Sequence, residues 1–330
     1  MELGRIGVWT PVLGLASAVD ARRYVQAIEE LGFGAVWYPE GLGSKEAMSQ
    51  AAMLLGWTDR IVVAPGIANI YARDPMAMGN GARALAEAYP GRFLLGLGVS
   101  HAPNVGIRGG SYGAPVATMR AYLDAMDAAQ FRFPAPESPP RVLAALGPRM
   151  LELAAARSLG AHPYFVPVEH TAFAREVMGP RTLLAPEQAV VLSSDAETAR
   201  RIARLHTRSY LGLDNYRRNL LRLGWAERDL EEGGSDALVD AVVAWGDVDS
   251  VGAGIRAHLD AGADHVCVQA LSETPAELAL GDLGELASAL LGSLAEAGAG
   301  QPVTTGSSSR RGGSGRRTSP AGPSDPGSCS

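Results

Sequence analysis

The chain has 330 residues, 47% of them hydrophobic, and a formal net charge of −6. That length and composition can bury one large core, and the acidic balance argues against nucleic acid or an anionic membrane as the main partner. Two cysteines, Cys267 and Cys329, exclude a disulfide framework and fit a reducing compartment.

Short apolar runs alternate with amphipathic ones along the chain, which predicts parallel strands covered by helices. The expected strands are 5–9, 35–38, 61–64, 93–97, 141–145, 161–165, 189–192 and 265–269. Helical patterns fall at 20–31, 46–55, 76–89, 116–129 and 150–158. Eight strands with intervening helices predict an α/β fold of the (β/α)8 TIM-barrel class. Asp74-Pro75 and Ser193-Ser194-Asp195 read as helix starts. Gly32, Gly160 and Gly262 each follow a helix, where a positive φ is wanted. The stretch 215–246 breaks the rhythm and reads as a helical insertion between the seventh and eighth strands, over the barrel mouth or at an oligomer interface. No apolar run is long enough for a signal peptide or a membrane span, so the expected location is cytoplasmic. From about Gly298 the composition collapses to Gly, Ser, Pro, Thr and Arg. The expected domain is therefore 1–297, followed by a disordered tail at 298–330.

Active sites in such barrels lie where the strands end. That places Thr10, Trp37, Tyr38, Glu40, Gly66, Ile67, Asn69, Val99, Ser100, His101, Leu146, Gly147, Pro148, His162 and Tyr164 at the expected mouth. Leu146-Gly147-Pro148-Arg149 combines a strand end, a tight turn and a helix start, a pattern that suits either an anion site or an ordinary connection. Gly96-Leu97-Gly98 lacks the third glycine of a dinucleotide fingerprint, so its glycines are expected to let a ligand ring approach the backbone. His206 and His258 fall on helical patterns and are expected to be solvated; His170 lies near a helix start. No metal-ligand spacing and no Gly-x-Ser-x-Gly elbow is present in the sequence, so no metal and no hydrolase chemistry is expected.

Tyr89-Pro90-Gly91-Arg92-Phe93-Leu94-Leu95-Gly96-Leu97-Gly98 resembles the fourth-strand signature of luciferase-like flavin and deazaflavin enzymes. Gly32-Phe33-Gly34-Ala35-Val36-Trp37, Arg60 to Ile67, Ala144 to Met150 and Ala261 to Val266 are similar to further segments of that superfamily, in the same order. Gly160 to Tyr164, Val168 to Thr171 and Asn215 to Asn219 resemble its branch of oxidoreductases that use coenzyme F420.

The resemblance implies an F420-dependent oxidoreductase that moves a hydride between deazaflavin C5 and a small organic substrate. Gly66-Ile67 would be a non-prolyl cis peptide behind the ring, with Asn69, Val99 and Ser100 beside it. Leu146, Gly147, Pro148 and Arg149 would hold the cofactor phosphate. His101 is the expected proton donor or acceptor, and Trp37, Tyr38, Glu40 and His162 are expected at the substrate. Positions 38 and 39 carry Tyr and Pro where F420-dependent dehydrogenases of the superfamily carry Asp-His, so their proton-transfer scheme does not transfer. The alternatives are an FMN-dependent two-component monooxygenase and a non-catalytic flavin-binding barrel. A homodimer is expected by the same resemblance.

Overall fold

The computed structural model describes residues 1–136, 138–274 and 277–297. The tail expected at 298–330 and Cys329 lie outside the described residues. Eleven strands are present among them: β1 (Ile6–Trp9), β2 (Ala35–Tyr38), β3 (Val62–Pro65), β4 (Ala68–Asn69), β5 (Leu95–Gly98), β6 (Arg141–Leu143), β7 (Gly160–Ala161), β8 (Leu183–Leu184), β9 (Glu187–Leu192), β10 (Val243–Gly246) and β11 (Val266–Ala270). They form two parallel sheets, ordered β10-β9-β11-β1-β2-β3 and β4-β5-β6-β7-β8.

The single closed ring expected from the strand count is not present as one continuous ladder. The segments expected at 61–64 and 189–192 fall in β3 and β9, and each has a short strand beside it that was not expected. Gly66-Ile67 separates β3 from β4. Ala185-Pro186 separates β8 from β9, where Pro186 has no N–H to give a ladder. The sheets still meet along two seams. Val63 N donates to Arg92 O at 2.8 Å and Leu94 N to Val63 O at 3.2 Å; Asp264 N donates to Leu184 O at 2.9 Å.

Both faces of most strands are buried, so they read as continuous apolar runs rather than alternating ones. One face packs an inner core of Trp9, Trp37, Val62, Leu94, Val142, Leu183 and Cys267, drawn from both sheets. The other packs against the helices, where Ile6, Val36, Tyr38, Leu54, Met78, Leu97, Leu151 and Ile255 belong to a larger cluster.

Local chemistry explains several boundaries. Asp74 accepts a hydrogen bond from Ala77 N and Pro75 opens the helix, as expected. Asp195 caps Ala196–Leu211 by accepting from Thr198 N. Gly32 and Gly262 adopt φ of 91° and 105°. Gly160 differs from the expectation: it lies inside β7, where a Cβ would stand 1.8 Å from Leu183 O, so it permits close pairing instead of ending a helix. The expected insertion is only partly helical. It holds Asp214–Arg222, a short 3-10 turn at Glu227–Leu230 and Asp236–Val242, but its last residues form β10, parallel to β9. Val243-Ala244-Trp245 is too short an apolar run to separate from the end of the preceding helix by periodicity.

Candidate functional site

The strand ends place the candidate residues in three groups. The first surrounds the turn between β3 and β4. Gly66-Ile67 is a cis peptide. Trp9 Nε1 donates to Gly66 O at 3.2 Å, and Glu40 N donates to Ile67 O at 3.2 Å. The turn presses against β5. A Cβ on Gly96 would stand 2.0 Å from Pro65 O, and one on Gly98 would stand 2.4 Å from Ile67 Cγ1. These glycines therefore make room for the neighbouring turn, which corrects the expectation that they make room for a ligand ring.

Glu40 was expected at the substrate but is committed to this turn. Its side chain is 4% exposed and pairs with Arg73; Asn69 N donates to its Oε2 at 2.8 Å and Ala47 N to its Oε1 at 3.1 Å. Both carboxylate oxygens are engaged. Arg73, which the sequence reading did not single out, is the cation that permits this burial. Asn69 is also buried, with its Oδ1 accepting from Tyr71 N at 2.9 Å.

Trp37, Tyr38 and His162, also expected at the substrate, are buried, and the His162 ring faces the turn: a Cβ on Gly66 would stand 2.9 Å from its Nε2. Trp37 points into the inner core and donates from Nε1 to His265 Nε2 at 3.1 Å. Tyr38 faces the helices and donates its hydroxyl to Ala47 O at 2.7 Å. Alternation along β2 sends neighbouring side chains to opposite faces, and neither face here is open. His162 is 1% exposed and stacks on Trp37 at 4.6 Å. Its Nδ1 donates to Ala185 O at 2.7 Å, while its buried Nε2 has no partner. Burial pushes it down to about 4, so it is neutral near pH 7.

The second group forms at the end of β5. Val99 is half-buried, and Ser100 adopts φ 57° with its carbonyl accepting from the Tyr112 hydroxyl at 3.3 Å. His101 Nδ1 lies 3.1 Å from Asn215 Oδ1, and its ring centroid is 5.6 Å from that of Tyr216. An amide oxygen can only accept, so Nδ1 carries the proton and Nε2 keeps its lone pair. Burial lowers the His101 pKa, partly opposed by the Asn215 hydrogen bond.

The third group surrounds Leu146-Gly147-Pro148-Arg149. Gly147 caps the helix Pro148–Arg157 without a side-chain contact; Met150 N and Leu151 N donate to Gly147 O at 3.1 and 3.0 Å and Pro148 has no N–H, so the first turn offers the Arg149 N–H. Leu146 O accepts from His170 Nε2 at 2.9 Å and from Arg222 Nη2 at 2.8 Å. The Arg222 guanidinium also bonds Asn219 Oδ1, lies 5.5 Å over Phe173, and would be 3.4 Å from a Cβ on Gly147. His170 Nδ1 and Asn219 Nδ2 are buried without partners. Arg222, His170 and Asn219 were not tied to this turn by sequence. Nothing local marks Arg222 among the neighbouring Arg217 and Arg218.

An aromatic cluster spans the space between these groups. Tyr164 lies 4.7 Å from Trp9 and 5.0 Å from Tyr210, and Tyr210 lies 5.3 Å from Tyr216 and 4.9 Å from His206. Glu187 is buried nearby, with Phe165 N donating to its Oε2 at 3.2 Å and its Oε1 unpartnered. Burial raises it to about 8, so it is largely protonated at neutral pH. His206 and His258 correct the expectation of solvated histidines: His206 Nε2 is sequestered and His258 is fully buried, bonded to Thr171 and Gln188.

A protein of Mycobacterium tuberculosis (strain ATCC 25618 / H37Rv), named as a coenzyme F420-dependent oxidoreductase, is 33% identical over 127 residues. That match covers 38% of this chain and 35% of the relative, so the chain spans about a third of that protein's length. Among solved structures, the coenzyme F420-dependent tetrahydromethanopterin reductase from Methanopyrus kandleri superimposes with a TM-score of 0.66 at 15% identity, covering 89% of this chain and 100% of that one. The oxygenating constituent of 3,6-diketocamphane monooxygenase from Pseudomonas putida, in complex with FMN, gives 0.64 at 15% identity, over 86% and 96%. The sequence profile of the luciferase-like monooxygenases matches residues 4–265, and the chain belongs to that family.

Proposed function

We propose that the chain is an F420-dependent oxidoreductase that transfers a hydride between deazaflavin C5 and a small organic substrate, with its two sheets acting together as a (β/α)8 barrel. The observation that carries the reading is the Leu146-Gly147-Pro148 turn. It joins a helix start to the Arg222 guanidinium, which is the pairing a phosphate-bearing cofactor needs. The unpartnered Asn219 Nδ2 adds a donor beside it, whereas His170 Nδ1 is an acceptor because its ring donates from Nε2 to Leu146 O; the Arg222 guanidinium and the Asn219 amide are the groups that fit a phosphate. Gly147, Pro148 and Arg149 with Arg222 would hold the phosphate. The Gly66-Ile67 turn, with Asn69, Val99 and Ser100, would border the ring.

When bound, the deazaflavin supplies or accepts the hydride. The chain's own task is to orient the substrate and manage a proton. His101 suits the second role: Asn215 fixes the tautomer, and the lowered pKa keeps Nε2 free to accept a proton from a substrate hydroxyl near pH 7. The relative named for F420 supports this cofactor. The neighbour that holds FMN supports the second reading, a monooxygenase fed by a separate reductase.

A titration of the purified chain with oxidised F420 and with FMN, followed by quenching of cofactor fluorescence, separates them. Micromolar or tighter binding of F420 with much weaker FMN binding is expected. Preference for FMN, with oxygen consumption in the presence of its reduced form, would replace the proposal by the monooxygenase reading. Failure to bind either would leave a non-catalytic barrel.

A further inference from the structure

We infer that a cavity of about 270 Å³ between the ends of β1 and β11 and the helix Ala196–Leu211 is the substrate site, and that it takes a small neutral carbonyl compound with an apolar or aromatic body. The inference rests on the cofactor reading above for the word substrate, but its geometry stands apart from the phosphate turn. Thr10, Ile202, His206, Ser209, Tyr210 and Gln269 line it.

Three features select the ligand. The first is charge. Glu277 is the only charged residue lining the cavity among the described residues, and it is exposed. Arg200, Arg201 and Arg204 lie on the same helix but are tied to Asp236, Asp240 and Glu273. A carboxylate or phosphate would enter past an acid and lose its hydration without a countercharge.

The second feature is the kind of hydrogen-bonding group presented. Thr10 is 3% exposed, and its Oγ1 accepts from Val12 N at 3.2 Å, which leaves its O–H to donate. Gln269 is 7% exposed, and its Oε1 accepts the Tyr164 hydroxyl at 2.8 Å; that hydroxyl also lies 2.8 Å from the one on Tyr210. This contact orients the Gln269 amide and leaves its NH₂ as a donor. Two buried donors fixed by their own accepting contacts call for an acceptor, and a carbonyl oxygen supplies one.

The third feature is location. Thr10 follows Trp9, whose indole bonds the Gly66 carbonyl and whose ring lies 4.7 Å from Tyr164. The cavity therefore begins one residue along the chain from the side chain that contacts the turn assigned to the cofactor ring. Its size is near the lower end for small-molecule pockets, and its walls mix aliphatic side chains with the Tyr210 and His206 rings.

The test uses acetophenone and benzoate, matched in shape and differing in charge, titrated calorimetrically into the full chain. Acetophenone should bind, with benzoate weaker by more than about tenfold. The double variant Thr10→Val, Gln269→Leu should weaken acetophenone by roughly tenfold or more while leaving F420 affinity unchanged. Ser209→Trp, placed on the helix face that lines the cavity, should block acetophenone in a chain whose circular dichroism matches the parent. Benzoate binding as tightly as acetophenone, or undiminished acetophenone binding to the folded Ser209→Trp chain, would overturn the inference. Loss of F420 binding with selective acetophenone binding intact would instead remove the cofactor reading and leave the cavity's selectivity standing.

Discussion

Acidification from pH 7 to pH 5 is expected to remove much of this protein's stability, and the source is its buried histidines. His162, His170, His258 and His265 are each no more than 1% exposed, and burial pushes each down to about 4 from an ordinary 6.5. Carbonyl contacts at His162, His170 and His265 partly oppose the burial, but one contact requires the neutral form. His265 Nε2 must accept from the Trp37 indole N–H, so a second proton would set two donors against each other. The unfolded chain binds protons below pH 6.5 while the folded chain does not. The stabilisation is therefore complete above 6.5 and is lost as pH falls toward 4. At pH 5 each histidine has given up about 2 kcal/mol, about 8 kcal/mol for the four. Glu187 opposes them. Its folded pKa of about 8 lies above the ordinary 4.5, so its contribution improves as pH falls, returning about 3 kcal/mol between pH 7 and 5. The net loss is about 5 kcal/mol, against a typical total of roughly 5–15 kcal/mol. Guanidinium unfolding followed by circular dichroism at pH 7, 6 and 5 measures it directly. A loss under about 2 kcal/mol would refute the reasoning, because the histidines would then be protonated in the folded state.

Three further outcomes follow from single contacts. Arg222→Ala should weaken F420 binding by roughly ten- to a hundredfold, the range for a charge-assisted hydrogen bond to phosphate, and unchanged affinity in a fluorescence titration would detach this residue from the turn. Gly96→Ala should cost about 1–3 kcal/mol or prevent folding, since its Cβ meets the Pro65 carbonyl and that backbone cannot turn aside; thermal melts read the effect. Glu187→Gln should stabilise the chain by up to about 3 kcal/mol at pH 7, with the gain vanishing near pH 4.5, because the cost of keeping that carboxyl protonated disappears. An equal effect at both pH values would assign the change to packing.

The sequence made the strand ends legible because buried parallel strands leave unbroken apolar runs. The expected segments at 5–9, 35–38 and 265–269 overlap β1, β2 and β11 closely. The same property hid which way each side chain points. Trp37 and Tyr38 are adjacent and both apolar, so nothing in their order shows that one fills the inner core and the other faces a helix. Glu40 was misplaced for a related reason: a carboxylate at a strand end reads as chemistry until its cation is known, and Arg73 lies 33 residues away. The histidines on helical patterns were misread because periodicity locates a face without saying what packs on it. His258 meets Thr171 and Gln188, both distant in sequence.

Arg222 was missed because its role depends on the segment that breaks the barrel rhythm. The helix Asp214–Arg222 carries Asn215 near one end and Arg222 at the other. Seven residues make nearly two turns, so both side chains leave the same face about 10 Å apart along the axis. One meets His101 at the end of β5, and the other meets Leu146 after β6. A single rigid element thus joins the group assigned to proton transfer with the turn assigned to phosphate. Tyr216 and Leu220 anchor it between them by burial on the aromatic cluster's side. The spacing of the two assigned subsites is accordingly set by helix geometry instead of by two independent loops, so a shift of this helix would move both contacts together.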